Sequence, residues 1–256
     1  MTGHLSTYGP RAKLGLIVPP TNTVNESEWA RMMPDGVSFH TTRMALHSDT
    51  TSPEGRERLW TDLDKAIALL TPARLDVVAY ACTAGSMTTP VQDIPQQMAA
   101  RSGTPSVTTA ASIIAALEAL EVRRVAVATP YHQALNDHEV EFLEAHGFQV
   151  TAIRGLGIGA GGPGEYPRIS ESTLGNVRSH VTSVLGGDEQ ALLITCTDFP
   201  SLPLIEGLER DNGLPVISSN TATLWGALRM AGIADDIPLG GRLFRTGQAK
   251  GGKGHD

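Results

Sequence analysis

The chain has 256 residues, 41% hydrophobic and 18% charged, with a formal net charge of −7. This length and composition fit an ordinary globular protein with enough residues to bury a sizeable core. The acidic balance, without a Lys/Arg stripe interleaved with aromatics, argues against nucleic acid as a partner. No apolar run approaches the roughly 20 residues that span a bilayer, and the N-terminus has no apolar signal core, so the expected setting is the cytoplasm, with no membrane partner.

Taken in chain order, short apolar runs alternate with helical patterns. Strands are expected at residues 14–18, 37–44, 76–81, 106–108, 125–128, 148–152, 191–195 and 216–218. Their near-continuous apolar character suits strands covered on both faces of a parallel sheet. Ser52-Pro53-Glu54 opens a helix with a capping serine, a first-turn proline and an early acid, and Leu59, Leu63, Ile67 and Leu70 then recur at helical spacing. Further helices are expected at residues 109–120 and 136–146, the latter stopped by Gly147. Another opens at Ser170-Glu-Ser-Thr-Leu, and the last starts at Ser219, which with Asn220 is read as its cap. Strands alternating with helices predict an α/β, doubly wound fold in two similar lobes.

The duplication shows most clearly around the only two cysteines. Asp76-Val-Val-Ala-Tyr-Ala-Cys82-Thr83 and Ala191-Leu-Leu-Ile-Thr-Cys196-Thr197 are both apolar runs that end in Cys-Thr. Cys82 follows Pro19 by 63 residues, and Cys196 follows Pro130 by 66. Gly103-Thr-Pro105 is echoed by Gly213-Leu-Pro215, so the landmarks Pro19, Cys82 and Pro105 recur at offsets of 111, 114 and 110 residues. Free cysteine is among the most buried residue types, and one strand-end cysteine alone reads most simply as inert. Two in matched frames predict thiols facing each other across a cleft, since ligands of α/β sheets sit beyond the carboxyl ends of strands. Such a pair can act as an acid and a base, or as nucleophile and proton donor. Two cysteines in alternating strand–helix context favour this over a scaffold disulfide.

Other candidates sit in the same loops. Pro20 and Asn22 follow the first strand, Thr83 and Thr197 follow the cysteines, and Tyr131 occupies the loop matching Asn22; these are the expected substrate contacts. Asn22 could instead cap a helix, and Tyr131 could be a packed ring. Glu26, Glu28, Asp49 and Asp198 fall near the site but read equally well as surface charges. The eight histidines are scattered without ligand spacing, so no metal is expected. Residues 155–164 carry six glycines without a phosphate-loop ending and read as a flexible loop, able to act as a flap over the cleft.

Gly15-Leu-Ile-Val-Pro-Pro-Thr-Asn22, Ala79-Tyr-Ala-Cys82-Thr-Ala-Gly-Ser86, Cys196-Thr197 and Pro215-Val-Ile-Ser-Ser-Asn220 with Trp225, in this order, resemble the aspartate/glutamate racemase superfamily. Within it they look most like the maleate cis-trans isomerase branch, which includes arylmalonate decarboxylases. The resemblance spans roughly residues 13–235. It implies two pseudo-twofold lobes, each a mostly parallel four-stranded sheet, with the site between them and no metal or organic cofactor. The first lobe would comprise residues 13–108 and 217–243 and the second residues 109–216, with flexible ends at 1–12 and 244–256. It also implies Cys82 as nucleophile, Cys196 as its partner in proton chemistry, and Asn22 and Tyr131 as binders of a substrate carboxylate. The family's further carboxylate-binding asparagine would fall at 155–166, where this chain has none.

Arylmalonate decarboxylases keep only the second-lobe cysteine, whereas this chain has both, although its Pro19-Pro20 is similar to the decarboxylase loop. Amino-acid racemases use two cysteines, but their first frame usually reads Cys-Asn-Thr. The expected activity is therefore cis-trans isomerisation of a small unsaturated dicarboxylate. Racemisation or decarboxylation of an α-substituted acid is the alternative, and a carboxylate-binding or thiol redox sensor the alternative of another class. A homo-oligomer is expected because closed symmetric assemblies are common.

Overall fold

The computed structural model describes residues 6–47, 49–50 and 52–246. Eight strands form two sheets: β1 (Ala12–Val18), β2 (Val37–Arg43), β3 (Val77–Tyr80) and β4 (Ser106–Thr108), then β5 (Arg124–Tyr131), β6 (Gln149–Ile158), β7 (Ala191–Ile194) and β8 (Val216–Ser218). The sheet orders are β2-β1-β3-β4 and β6-β5-β7-β8, all parallel, so the second sheet repeats the first with every strand number raised by four. The duplicated α/β architecture expected from the cysteine frames is present.

The helices are α1 (Asn25–Met32), α2 (Pro53–Leu70), α3 (Thr83–Ser86), α4 (Asp93–Ser102), α5 (Thr109–Ala119), α6 (Gln133–Ala145), α7 (Pro167–Ser170), α8 (Leu174–Thr182), α9 (Leu202–Asn212) and α10 (Ser219–Met230). Helix α2 starts as its sequence predicts, with Ser52 accepting from Gly55 N–H and Leu59, Leu63, Ile67 and Leu70 on its buried face. Helices α5 and α10 pack on each other, and one apolar core runs through them and both sheets. Helix α10 also packs against β3 and β4, returning the C-terminal part of the chain to the first sheet.

Several sequence expectations are corrected. The run 155–164 is not wholly loop, because β6 continues to Ile158 and the following turn is held by Glu165, which accepts from Gly159 and Gly161 N–H at 2.8 and 3.2 Å. Glycine is needed at 155 because a Cβ there would stand 2.0 Å from Tyr131 O. Helix α8 is capped by Thr173 rather than opened at Ser170. Helix α10 is capped by Ser218 in a capping box with Thr221, which frees Ser219 and Asn220 for other work. Residues 217 and 218 pair with β7, so the second sheet extends past 216.

The chain ends are also more tied down than expected where they are described. Arg11 bonds both carboxylate oxygens of Asp235, and Phe244 is fully buried. The remainder of the expected flexible tail lies outside the described residues. Among the described residues no helix is long and apolar enough to cross a membrane.

Candidate active site

Each cysteine stands two residues beyond the third strand of its half: Cys82 after Tyr80 of β3, Cys196 after Ile194 of β7. Both line one cavity of about 470 Å³ between the lobes. Asn22, Thr83, Tyr131 and Thr197 line it as well, so the structure gathers most of the expected residues into one place. Pro20 is the exception: it is exposed, and the neighbouring Pro19 forms the wall instead.

Of the threonines that follow the cysteines, Thr197 joins the lobes and Thr83 is tied to the start of α10. Thr197 Oγ1 donates to Ala81 O at 3.1 Å and accepts from Asn22 Nδ2 at 3.0 Å. Thr83 Oγ1 shares a 2.8 Å bond with Ser219 Oγ. Asn22 is both a cap and a cavity residue, since its Oδ1 accepts from Val24 and Asn25 N–H while its amide nitrogen retains one hydrogen beyond the bond to Thr197.

The seam continues behind the site. Glu28, buried on α1, accepts from Ser201 and Leu202 N–H at the start of α9 and from Asn220 Nδ2 at 2.7 Å. Burial pushes its carboxyl upward against these three donors. Asn220 also donates to Thr197 O, and its carbonyl accepts from Trp29 Nε1. Glu28 is therefore a lobe connector rather than a surface charge, while Glu26 pairs with Arg43.

The two thiols have matched donors. Cys82 Sγ accepts from Gly85 N–H at 3.4 Å and from the Tyr80 hydroxyl. Cys196 Sγ accepts from Asp198 N–H and from the Tyr131 hydroxyl. Burial raises both thiols, Cys196 to about 12; the Asp198 N–H and the Tyr131 hydroxyl oppose this there, while the Asp198 carboxylate and Cys82 add smaller effects in the same direction as burial. Burial likewise lifts both tyrosines well above their ordinary value, so they serve as neutral O–H donors.

Cys196 has φ +86, a left-handed backbone that an L-residue adopts only under constraint, of order 1–3 kcal/mol. The opposite loop is fixed too: Thr129 Oγ1 accepts from Tyr131 N–H and donates to Asn136 Oδ1 at 2.7 Å.

Two acidic residues stand out, Asp198, placed near the site by the sequence but read equally well as a surface charge, and Glu139, which no sequence signal revealed. Asp198 lines the cavity at 6% exposure; its Oδ1 accepts from Thr23 N–H at 2.8 Å, and its buried Oδ2 has no hydrogen-bond partner. Burial lifts its carboxyl to about 6, opposed by the Thr23 and Val24 N–H groups and by Arg43. Glu139 of α6 lies behind the site at 2% exposure, with Thr195 Oγ1 donating to it at 3.1 Å, and burial raises it to about 8.

His47, His132 and His138 also line the cavity, the first from the stretch after β2 and the other two from the N-cap and body of α6. Leu46, Leu135, Tyr166 and Ile169 give it an apolar wall. No Lys or Arg lines it among the described residues.

Comparison with known proteins agrees with this geometry. A maleate isomerase of Nocardia farcinica is 31% identical over 93% of this chain and 97% of its own length. A crystal structure of a cysteine-to-alanine variant of a Pseudomonas putida maleate isomerase with maleate superposes with a TM-score of 0.82, at 26% identity over 92% of this chain and 98% of that one. A second, a cysteine-to-serine mutant of the Nocardia farcinica maleate cis-trans isomerase with a covalently bound succinylcysteine intermediate, gives 0.80 at 28% identity over 91% and 98%. Residues 14–244 match the arylmalonate decarboxylase family, and the chain belongs to that family, in the branch shared with maleate isomerases.

Proposed function

We propose that this protein is a cofactor-independent cis-trans isomerase of a small unsaturated dicarboxylate, of the maleate-to-fumarate type. The observation that carries the reading is the pair of thiols on one cavity, each beside a tyrosine hydroxyl and a backbone N–H. Cys82 is the thiol better placed to ionise and adds to one alkene carbon. The π pair moves to the neighbouring carbon as a carbanion delocalised into its carboxylate. The former double bond is now single and rotates. When the pair reforms the π bond, the Cys82 thiolate leaves and the trans alkene is released, so no atom is gained or lost. Covalent addition replaces one high-barrier rotation by easier steps.

Asn22, with its free amide hydrogen, binds a substrate carboxylate, and the Cys196 thiol lies ready to protonate the carbanion and take the proton back. The relative trapped as a succinylcysteine adduct supports an addition of this kind. The test is NMR turnover of maleate with intact-mass analysis of a trapped adduct. An adduct on Cys82 is expected, and undiminished turnover by Cys82→Ala would overturn the reading.

The apolar wall of Leu46, Leu135, Tyr166 and Ile169 favours a second reading, because a four-carbon diacid has no group to cover it. A bulkier α-substituted acid would then be racemised or decarboxylated by the same cysteines. Deuterium incorporation from D₂O at a saturated α-carbon separates this from isomerisation.

A further inference from the structure

One wall of the cavity is a turn that its own backbone holds only in part. Residues 19–22 read Pro-Pro-Thr-Asn, and Pro19, Thr21 and Asn22 line the cavity. The two prolines have no N–H to give, and the turn closes on itself through Asn22 N–H to Pro19 O at 3.2 Å. From the second lobe, Thr197 accepts from Asn22 Nδ2 at 3.0 Å and Asp198 Oδ1 accepts from Thr23 N–H at 2.8 Å.

The carbonyl side of the turn is held by Arg43, the last residue of β2. Parallel pairing of β1 and β2 sets Arg43 opposite Val18, directly before the turn. Its Nη1 donates to Asn22 O at 2.7 Å and to Pro19 O at 3.3 Å, so the two hydrogens of one nitrogen hold the two ends of the turn. Its Nη2 pairs with Glu26 in the first turn of α1. Arg43 does not itself line the cavity.

We propose that Arg43 is a positioning residue, which fixes the 19–22 turn so that the Asn22 amide is set for a substrate carboxylate. The role of Asn22 rests on the proposed isomerase reading; the clamp on the turn does not. The bonds to the two carbonyls carry the effect. Side chains of the Arg43–Glu26 pair are 43% and 34% exposed, and exposed ion pairs contribute little, whereas charge-assisted bonds to carbonyls are among the stronger ones. Lysine is not equivalent here, because a point charge cannot reproduce the planar fork of the guanidinium.

The experiment combines maleate kinetics with hydrogen exchange of the full chain. Arg43→Met should raise KM for maleate about tenfold, the scale of a lost charge-assisted hydrogen bond, with kcat changed less than about twofold. Guanidinium ion, added below denaturing concentration, should lower the KM of this variant and not that of wild type. Arg43→Lys keeps the charge without the fork and should fall between the two. Glu26→Ala removes the ion pair alone and should leave KM within about twofold of wild type. Without substrate, the amides of residues 22–25 should exchange faster in Arg43→Met while the rest of the chain is unaltered. A wild-type KM in Arg43→Met or Arg43→Lys, a loss confined to kcat, or an equal rise in Glu26→Ala overturns the proposal. If the wild type does not turn over maleate, the isomerase reading fails and exchange decides: faster exchange confined to residues 22–25 upholds the clamp, and unaltered or chain-wide exchange overturns it.

Discussion

Asn22 Nδ2 donates to Thr197 Oγ1 at 3.0 Å across the seam between the lobes, so the loop proposed to hold the substrate is tied to the threonine beside the second cysteine. In this proposal, closing the cleft and shaping the carboxylate site are one set of hydrogen bonds. Thr197→Val keeps the shape but leaves Ala81 O and the Asn22 amide without their partner in a buried place. A loss of about 1–3 kcal/mol is expected, read from urea unfolding. If stability is unaltered, the seam is not where the lobes are joined.

Asn22→Asp tests binding. The Oδ1 acceptor for Val24 and Asn25 N–H survives but the bond to Thr197 is lost at a buried position, so a fall in stability on the scale of Thr197→Val is expected alongside the binding effect. At this cavity-lining residue the amide nitrogen is replaced by a negative oxygen, which would repel a substrate carboxylate. KM for the turned-over diacid should rise at least about tenfold, the scale of one lost charge-assisted hydrogen bond made into a repulsion. An unchanged KM would remove Asn22 from the substrate contacts.

Gly85 is where the Cys82 thiol can be tuned. A Cβ at this position would stand 2.3 Å from Tyr80 Oη and 3.0 Å from Cys82 Sγ. Gly85→Ala must push the tyrosine hydroxyl off the sulfur, and Tyr80→Phe removes it outright. Both should raise the ionisation midpoint of Cys82 and slow its alkylation by iodoacetamide several-fold at pH 8, because a donor to the thiolate is gone. Equal alkylation rates in wild type and Tyr80→Phe would show that the hydroxyl does not act on the thiolate.

Glu139 predicts a pH dependence of stability. Its carboxyl releases its proton near 4.5 when unfolded and near 8 when folded. Between these values the folded state binds the extra proton, so its contribution is full below about pH 4.5 and lost as pH rises through 8. Wild type should therefore lose stability on going from pH 5 to pH 9, and Glu139→Gln, which cannot ionise, should flatten that slope and be the more stable at pH 9. Thermal unfolding across this range checks it; parallel slopes for the two proteins would refute it.

Much of the fold was legible in the sequence, and for local reasons. Continuous apolar runs such as Leu14 to Val18 mark strands covered on both faces, and all eight expected strands are present, β4 and β8 with the expected bounds. Helix α3 was too short for periodicity, and α9 lacks a side-chain cap of its own because Glu28, from α1 across the seam, supplies the acceptor. The cap of α10 was misread by one residue, since serine stands at both 218 and 219 and only tertiary partners distinguish them. The glycines at 155–164 read as loop because propensity is a local measure, whereas β6 continues there by pairing with β5 and passing close to Tyr131 O.

The candidate site divides along the same line. By itself the sequence determined the duplication, the strand-end position of Cys82 and Cys196, and through it that both belong to one cleft, because a repeated α/β unit places equivalent strand ends together. Only the tertiary structure decided what each neighbour does there. Thr197 bonds across the seam, Thr83 is tied to the start of α10, Pro20 faces outward while Pro19 forms the wall, His47 joins two histidines of α6 on the cavity, and Asp198 lines the cavity with its Oδ1 on Thr23 N–H. The physical reason is range. Hydrogen-bond satisfaction and burial depend on groups more than a hundred residues away, such as Ala81 O for Thr197, and no local pattern records them.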